Sequence, residues 1–166
     1  MKTLVNRYSY FWISLVLIFI DQLSKYFIRK FLDVGEVIKV TKKLVWITNI
    51  QNTGAAFSFS FGSHLLNKII FIIITIAAIV LIIYLFNKSK TKIEKVTFAM
   101  ILGGALGNLI DRILLGSVTD FIWCDFPDVI MIRWPVFNIA DSCIVIAIIL
   151  MMVYTLFHRK ETVEDR

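Results

Sequence analysis

Long apolar segments alternate with short polar ones along most of the chain. Four of them are long enough to cross a bilayer as helices, which takes about 20 mostly apolar residues. They run over about 8–28, 65–86, 96–115 and 135–157, and Asp141 is the only charge inside the last one. The pattern predicts an all-α membrane protein with four transmembrane helices. The first segment lacks a signal-peptide cleavage pattern and is predicted to be a retained anchor.

The segment between the first two spans has a different pattern. The stretch "VIKVTKKLVWITNI" is rich in β-branched residues, and "AFSFSF" alternates apolar and polar positions with a period of two. Asn52, Thr53 and Gly54 between them are typical of a turn. We therefore expect a small β element over about 36–61, lying on the outer membrane face. An edge hairpin that only covers the helix ends is an equally good interpretation.

Basic residues predict the orientation of the spans, because loops rich in lysine and arginine stay in the cytoplasm. Lys2 and Arg7 precede the first span, four lysines lie within 87–95, and basic residues follow the last span. Both termini are therefore expected in the cytoplasm, with a short helix or loop outside between spans three and four. The 29–64 segment opposes this assignment, because it is placed outside and contains five lysines and arginines.

Composition excludes several classes of protein. Hydrophobic residues make up 58% of the 166 residues, more than one soluble core of this size could bury. The net charge of +6 is spread over clusters between apolar segments, so no nucleic-acid partner is expected. Length predicts a single domain over 1–166. Cys124 and Cys143 are expected to be unpaired thiols.

Polar side chains within or beside the spans need an explanation, because each ionisable group there costs about 2.5–3.5 kcal/mol by insertion scales. With the predicted orientation they gather in the outer half of the membrane. Such a layer indicates a site. Its members are Asp21, Lys25, Asp111, Arg112, Asp120 and Asp141, and Asn108 and Asn138 share helix faces with Asp111 and Asp141.

Spacing separates supporting members of this layer from chemical ones. Asp21 and Lys25 are four residues apart, so they can neutralise each other on one helix face. Arg112 is expected to brace neighbouring carbonyls or Asp111. The glycines of "GGALG", residues 103–107, predict that another helix approaches span three closely.

Asp120 and Asp141 have no obvious cation nearby in sequence. Asn138 lies three residues before Asp141 on the same helix face, and it can orient a carboxylate without neutralising it. Two neighbouring carboxylates share a proton, so that one acts as base and the other as acid. This is the logic of an aspartic protease, and an intramembrane proton relay fits these residues nearly as well. A carrier, a purely structural four-span protein and a Cys124–His64 pair are further alternatives.

Four motifs resemble those of the bacterial lipoprotein signal peptidase family, signal peptidase II. They are "DQLSK" (21–25), "NTGAAFSF" (52–59), "GGALGNLIDRILLGSVTDFI" (103–122) and "WPVFNIADS" (134–142). Together they are specific, because they occur in order over nearly the whole chain. The resemblance implies an outer β-cradle and an aspartic endopeptidase of the bacterial inner membrane, with its active site at the outer face.

The resemblance also implies a substrate and residue roles. Members of the family cut diacylglyceryl-modified prolipoproteins on the amino side of the lipidated cysteine, without a metal or cofactor. Asp120 and Asp141 match the catalytic dyad. Positions that match the substrate site are Asn52, Gly54, Asn108, Arg112 and Asn138; structural polar positions are Asp21, Lys25 and Asp111. The expected partners are prolipoproteins and membrane lipid, and the protein is expected to act as a monomer.

Overall fold

The computed structural model describes residues 7–41, 44–54, 63–124 and 135–164. Within this part of the chain there are four long helices and three strands. The helices are α1 (Phe11–Phe31), α2 (His64–Lys88), α3 (Lys92–Leu115) and α4 (Ile139–Glu164); the strands are β1 (Val37–Lys39), β2 (Val45–Asn52) and β3 (Val118–Cys124). All four helices contain a stretch long and apolar enough to cross a membrane, which confirms the predicted four-span fold class.

Helix α3 is the central helix of the bundle, and it packs against each of the other three. Its first turn is closed by a capping box between Thr91 and Glu94, and it ends at Gly116, whose φ of 79° is in the left-handed region. Half of its apolar window is buried in the protein, against 11% for α2. Helix α2 is therefore the peripheral helix, with most of its apolar surface free to face lipid.

Two glycines let neighbouring helices approach α3 closely. A Cβ atom on Gly104 would lie 2.6 Å from the backbone carbonyl oxygen of Ala140, at the start of α4. A Cβ atom on Gly107 would lie 2.7 Å from Oδ2 of Asp21, on α1. The close approach expected from the "GGALG" motif therefore involves two helices, one on each side of α3.

The strands form one antiparallel sheet in the order β1-β2-β3. The predicted β element at 36–61 is present as β1 and β2, while its last seven residues, 55–61, lie outside the described residues. The third strand comes from the stretch after α3, where the sequence predicted only a helix or loop. An irregularity in the β2–β3 register lies between Ile47 and Ile50.

The sheet lies at the end of the bundle where α1 and α3 end and α4 begins. Leu32, just after α1, accepts a hydrogen bond from the side chain of Asn49 in β2 (2.8 Å). At the opposite end, Arg7 donates hydrogen bonds to the carbonyl groups of Phe86 and Ser89, both at 3.2 Å. The N-terminal segment and the α2–α3 turn therefore share one end of the bundle, and the sheet marks the other.

Candidate active site

Two elements that meet at the sheet end each supply one carboxylate. Asp120 lies in β3, and Asp141 lies in the first turn of α4. The two elements are joined by Phe137, which pairs with Ile122 of β3 through hydrogen bonds of 2.8 and 3.0 Å. This pairing places the residue after Phe137, Asn138, directly beside Asp120.

Asn138 holds both carboxylates at once. Its side-chain amide donates to Oδ1 of Asp120 (2.7 Å), and its backbone N–H donates to Oδ2 of Asp141 (3.2 Å). Its side-chain oxygen accepts from the backbone N–H of Asp141 (2.9 Å), so the two residues also form a reciprocal cap of α4. The hydrogen bonds that cap α4 thus also orient the half-buried side chain of Asp141, and no part of Asn138 is exposed.

The second oxygen of Asp120 is held from β2. The side-chain amide of Asn52 donates to Oδ2 of Asp120 (3.0 Å), and Oδ1 of Asn52 accepts from the backbone N–H of Gly54 (3.0 Å). The antiparallel register pairs Asn52 with Val118, so Asn52 and Asp120 are diagonal neighbours on the same side of the sheet. The turn at Gly54 therefore determines which end of the Asn52 amide faces the carboxylate.

The second contact of Asp141 comes from α3. The side-chain amide of Asn108 donates to Oδ1 of Asp141 (2.8 Å). The oxygen of the Asn108 side chain accepts from Lys25 (2.9 Å) and from Asn138 (3.1 Å). Each aspartate is therefore held by two donors, and neither carboxylate has an ion pair within 4.0 Å among the described residues.

Beneath the two aspartates lies a buried ionic cluster of Asp21, Lys25 and Asp111. The Lys25 ammonium lies 2.9 Å from Asp21 and 3.4 Å from Asp111, and all three side chains are 1% exposed or less. The predicted Asp21–Lys25 pair is thus present and part of a larger network. Oδ1 of Asp21 also accepts from the backbone N–H of Ala140 (3.0 Å), which connects the cluster to the first turn of α4.

Two contacts were expected for Arg112, with neighbouring carbonyl groups or with Asp111, and the ion pair with Asp111 is not formed within 4.0 Å. Within the described residues the cations paired with Asp111 are Lys25 and Arg29, and its Oδ2 accepts from the backbone N–H of Thr119 (2.9 Å). The reason is the direction of the side chains. Neighbouring positions on a helix point to different faces, so the Arg112 guanidinium does not reach Asp111 and lies over the ring of Phe71, at 5.5 Å from its centre.

Three further polar residues belong to this network and were not predicted from sequence. Arg29 donates to Thr119 Oγ1 (3.0 Å), and Gln22 donates to Asp111 (3.2 Å) and to the carbonyl of Gly107 (3.0 Å). A sequence signal existed for Arg29 alone, because it follows Asp21 and Lys25 at a second interval of four residues. The first span is predicted to end at about residue 28, which places Arg29 in the loop that follows, whereas Arg29 lies in α1.

Asp120 holds its proton more strongly than an exposed aspartate does. Burial raises the pKa of Asp120 from 3.8 to about 6; the hydrogen bond from Asn52 opposes this increase, and the negative charge of Asp141 adds to it. Only 3% of Asp120 is exposed. The side chain can therefore exchange a proton near neutral pH, as a general acid or base must.

The alternative thiol pair is not supported by a described contact. Cys124 is the last residue of β3 and is half-buried, whereas the side chain of His64 lies outside the described residues. Cys143 is buried in α4, and both cysteines are free thiols. Among the described residues, no group of three or more His, Cys, Asp and Glu side chains is arranged to hold a metal ion.

Fold and site together define a multi-pass membrane protein with two carboxylates held at the sheet end of its bundle. The family described as signal peptidase (SPase) II matches residues 13–157. The chain therefore belongs to the signal peptidase II family and is a membrane peptidase.

Individual relatives show the same likeness over more than nine tenths of the chain. A lipoprotein signal peptidase of Enterococcus faecalis is 36% identical over 95% of this chain and 93% of that protein. A lipoprotein signal peptidase of Listeria welshimeri is 34% identical over 92% of this chain and 96% of that protein. A bacterial membrane enzyme solved by the in meso method at 2.3 Å resolution superposes with a TM-score of 0.79, at 32% identity over 95% of this chain and 92% of that one.

Proposed function

We propose that the protein is an aspartic endopeptidase that removes signal peptides from diacylglyceryl-modified prolipoproteins, cutting on the amino side of the lipidated cysteine. Asp120 and Asp141 are the proposed catalytic pair. The observation that carries the assignment is that Asn138 donates to both carboxylates, at 2.7 and 3.2 Å. Membership of the signal peptidase II family supports the substrate class.

The pair performs hydrolysis with one shared proton. The ionised carboxylate takes a proton from water while the water oxygen attacks the scissile carbonyl carbon, giving a tetrahedral intermediate. The protonated carboxyl group then donates its proton to the amide nitrogen, the C–N bond breaks, and a carboxyl group and an amine are released. The raised pKa of Asp120 favours the presence of that proton near neutral pH.

Four amides orient the acids without neutralising them. Asn52, Asn108 and the side chain and backbone of Asn138 are neutral donors, and each contacts one carboxylate oxygen. A cation in direct contact would hold both acids ionised and remove the proton that hydrolysis needs. Lys25 instead donates a hydrogen bond to Asn108, so that Asn108 lies between the ammonium group and Asp141. Neutral side chains next to the acids and charged ones behind them suit an acid–base pair.

The location of the site agrees with a substrate that is itself in the membrane. Asp141 lies in the first turn of a membrane-crossing helix, and Asp120 lies in the strand beside it. A signal peptide that crosses the bilayer and ends at a lipidated cysteine has its scissile bond at this depth. Binding from the bilayer removes part of the entropic cost of bringing the substrate to the acids.

We also propose that the sheet end faces outward from the bacterial cytoplasmic membrane, with both termini in the cytoplasm. Arg7 and the lysines of the α2–α3 turn lie at the end opposite the sheet. Basic residues of short loops are retained in the cytoplasm, so this end is assigned to the inner face. A cysteine introduced at the exposed Asp33 should react with an impermeant thiol reagent in intact cells, whereas a cysteine at the exposed Lys90 should react only after the membrane is permeabilised.

The proposed activity is tested with two forms of one prolipoprotein, with and without the diacylglyceryl group. Purified protein should cleave the lipidated form before its cysteine and leave the other form uncut. The matched control is Asp33→Asn, which removes an exposed carboxylate at the sheet end and should leave cleavage unchanged. Equal cleavage of both substrates contradicts the proposed specificity, and cleavage of neither contradicts the proposed function.

A further inference from the structure

A cavity of about 690 Å³ lies far from the two aspartates, at the opposite end of the bundle. It opens between the end of α2, the first half of α3 and the second half of α4. Its apolar wall extends from the α2–α3 turn toward the middle of the membrane. The residues that form this wall are Leu85, Phe98, Ile101, Ile148, Met152 and Leu156.

The cavity is open to the side, so its occupant comes from the bilayer. Ile148, Met152 and Leu156 are exposed on α4, and Leu85 is exposed on α2. Glu94 and Ile101 both line the cavity, and they are seven residues apart on α3, or about 10 Å along the helix axis. That depth is about a third of the hydrocarbon thickness of a bilayer, which suits part of an acyl chain.

The mouth of the cavity is basic. Lys88 and Lys90 line it at the α2–α3 turn, and both are exposed. Glu94 also lines it, but its carboxylate accepts hydrogen bonds from the backbone N–H groups of Lys90 (2.6 Å) and Thr91 (3.0 Å). The acidic group thus caps α3. Lys88 lies 5.7 Å from the centre of the Tyr84 ring, and among the described residues neither Lys88 nor Lys90 forms an ion pair within 4.0 Å, so both can contact an anion.

We propose that this cavity is a binding site for a phospholipid with an anionic headgroup. An acyl chain lies along the apolar wall, and the phosphate contacts Lys88 and Lys90. Basic pockets between transmembrane helices bind anionic lipid headgroups in this way, with the lysines at headgroup depth and the chain below them. The cavity has the same order as the lipid, because the lysines lie at the α2–α3 turn, where the headgroup would be, and the apolar wall lies deeper, where the acyl chain would be. The inference does not depend on the peptidase activity.

Native mass spectrometry of the purified full chain tests the headgroup preference. The protein is titrated with phosphatidylglycerol or with phosphatidylcholine carrying the same acyl chains, and the dissociation constant of the first lipid is measured. Each lysine is expected to contribute about fivefold to the preference for the anionic lipid. The double variant K88Q/K90Q should therefore bind both lipids equally. Equal affinities in the unmodified protein would overturn the proposal.

A matched control separates a local site from a general effect of net charge. The variant K30Q/K39Q removes two lysines at the sheet end, and it should retain the preference for phosphatidylglycerol. Equal loss in both double variants would overturn the proposal, because the preference would then follow net charge. Thermal unfolding in the same detergent checks that both variants are folded.

A second pair of variants tests the cavity itself. Ile148→Trp fills the apolar wall and should weaken the first binding step for both lipids at least fivefold. Ile149→Trp, also on the exposed surface of α4 but outside the cavity lining, should not change it. If neither variant changes lipid binding, the headgroup binds at the surface and the cavity is not the site.

Discussion

The ammonium group of Lys25 lies 2.9 Å from the side-chain oxygen of Asn108, and no part of Lys25 is exposed. An ammonium group can only donate hydrogen bonds, so this contact requires that the Asn108 oxygen face Lys25. The amide NH2 of Asn108 must then point the other way, toward Asp141 (2.8 Å). The buried ammonium group of Lys25 therefore determines that Asn108 presents its NH2 group to Asp141, a proposed catalytic acid. Lys25 does so without forming an ion pair with Asp141.

The first prediction concerns the two proposed catalytic acids. Asp120→Asn and Asp141→Asn should each reduce cleavage of the lipidated substrate by at least about 10²–10⁴-fold, the usual contribution of acid–base catalysis. Both variants should still fold, because asparagine has nearly the same volume. The measurement is single-turnover cleavage, with thermal unfolding in detergent as the folding check. Activity retained by a folded Asp141→Asn protein refutes the assignment.

The second prediction concerns the buried cation. Lys25→Met leaves Asp21 and Asp111 buried without their shared partner and leaves the Asn108 amide free to rotate. Breaking a buried ion pair costs about 3–5 kcal/mol, so the unfolding temperature should fall clearly. Lys30→Met on the same helix removes an exposed ammonium and should cost less than about 1 kcal/mol. Similar unfolding temperatures for the two variants would contradict a central role for the ionic cluster.

The third prediction concerns stability as a function of pH. The folded protein binds a proton at Asp120 more tightly than the unfolded chain, because the folded pKa is about 6 and the ordinary value is 3.8. This contribution to stability is complete below about pH 4 and is lost as pH rises through 6; its full size is about 3 kcal/mol. Thermal unfolding from pH 4.5 to 8 measures it as the difference between the protein and Asp120→Asn.

The same titration should appear in the kinetics. The profile of kcat/KM against pH is expected to have two limbs, one with an apparent pKa near 6, and both values belong to the pair of aspartates. Asp33→Asn should retain both the profile and the pH dependence of unfolding. A profile that is flat between acid and neutral pH argues against a shared proton.

The fourth prediction concerns the close approach of α1 and α3. Gly107→Ala places a methyl group 2.7 Å from the Asp21 carboxylate, which is already held by Lys25 and by the N–H of Ala140. Overpacking of this kind lowers the stability of the folded protein by about 1–3 kcal/mol. The higher helix propensity of alanine relative to glycine opposes this loss by about 1 kcal/mol. Thermal unfolding should therefore show a net loss of stability, together with reduced cleavage.

Gly103→Ala is the matched comparison for that variant. Its Cβ atom would meet Ser14 and Leu17 at 3.1–3.2 Å and would not touch the ionic cluster. A small shift of α1 relieves this contact, so the loss of stability should be smaller and cleavage should be retained. Equal effects on cleavage at the two glycines would show that helix spacing alone, and not the position of Asp21, accounts for the result.

Most of the site residues were identifiable from the sequence, but their partners were not. Asp21 and Lys25 are four residues apart, and Asn138 and Asp141 are three apart, so helix periodicity alone brings each pair together. Helix periodicity does not identify the partners of Asp111, because the adjacent Arg112, for which Asp111 was one of two expected contacts, points to another face. The true partners, Lys25 and Arg29, come from another helix.

Strand β3 shows the same limit within the fold. Its seven residues have no regular alternation of apolar and polar positions, because one end is buried on both sides. The strand forms by pairing with β2, about 70 residues earlier, and local pattern carries little information about such pairing. As a result, the sequence places Asp120 just past span three without indicating that Asn52 donates a hydrogen bond to it.

The sequence by itself determined the four membrane-crossing helices, the layer of costly polar residues and the family motifs. The length of an apolar segment and the positions of charged residues are properties of the sequence itself, so they can be recognised without knowledge of the tertiary structure. Only the tertiary structure decided which polar atoms meet: Asn52 with Asp120, Lys25 with Asn108, and Asp21 with the start of α4. These contacts join residues 68 to 119 positions apart, and they exist only once the helices and the sheet have packed.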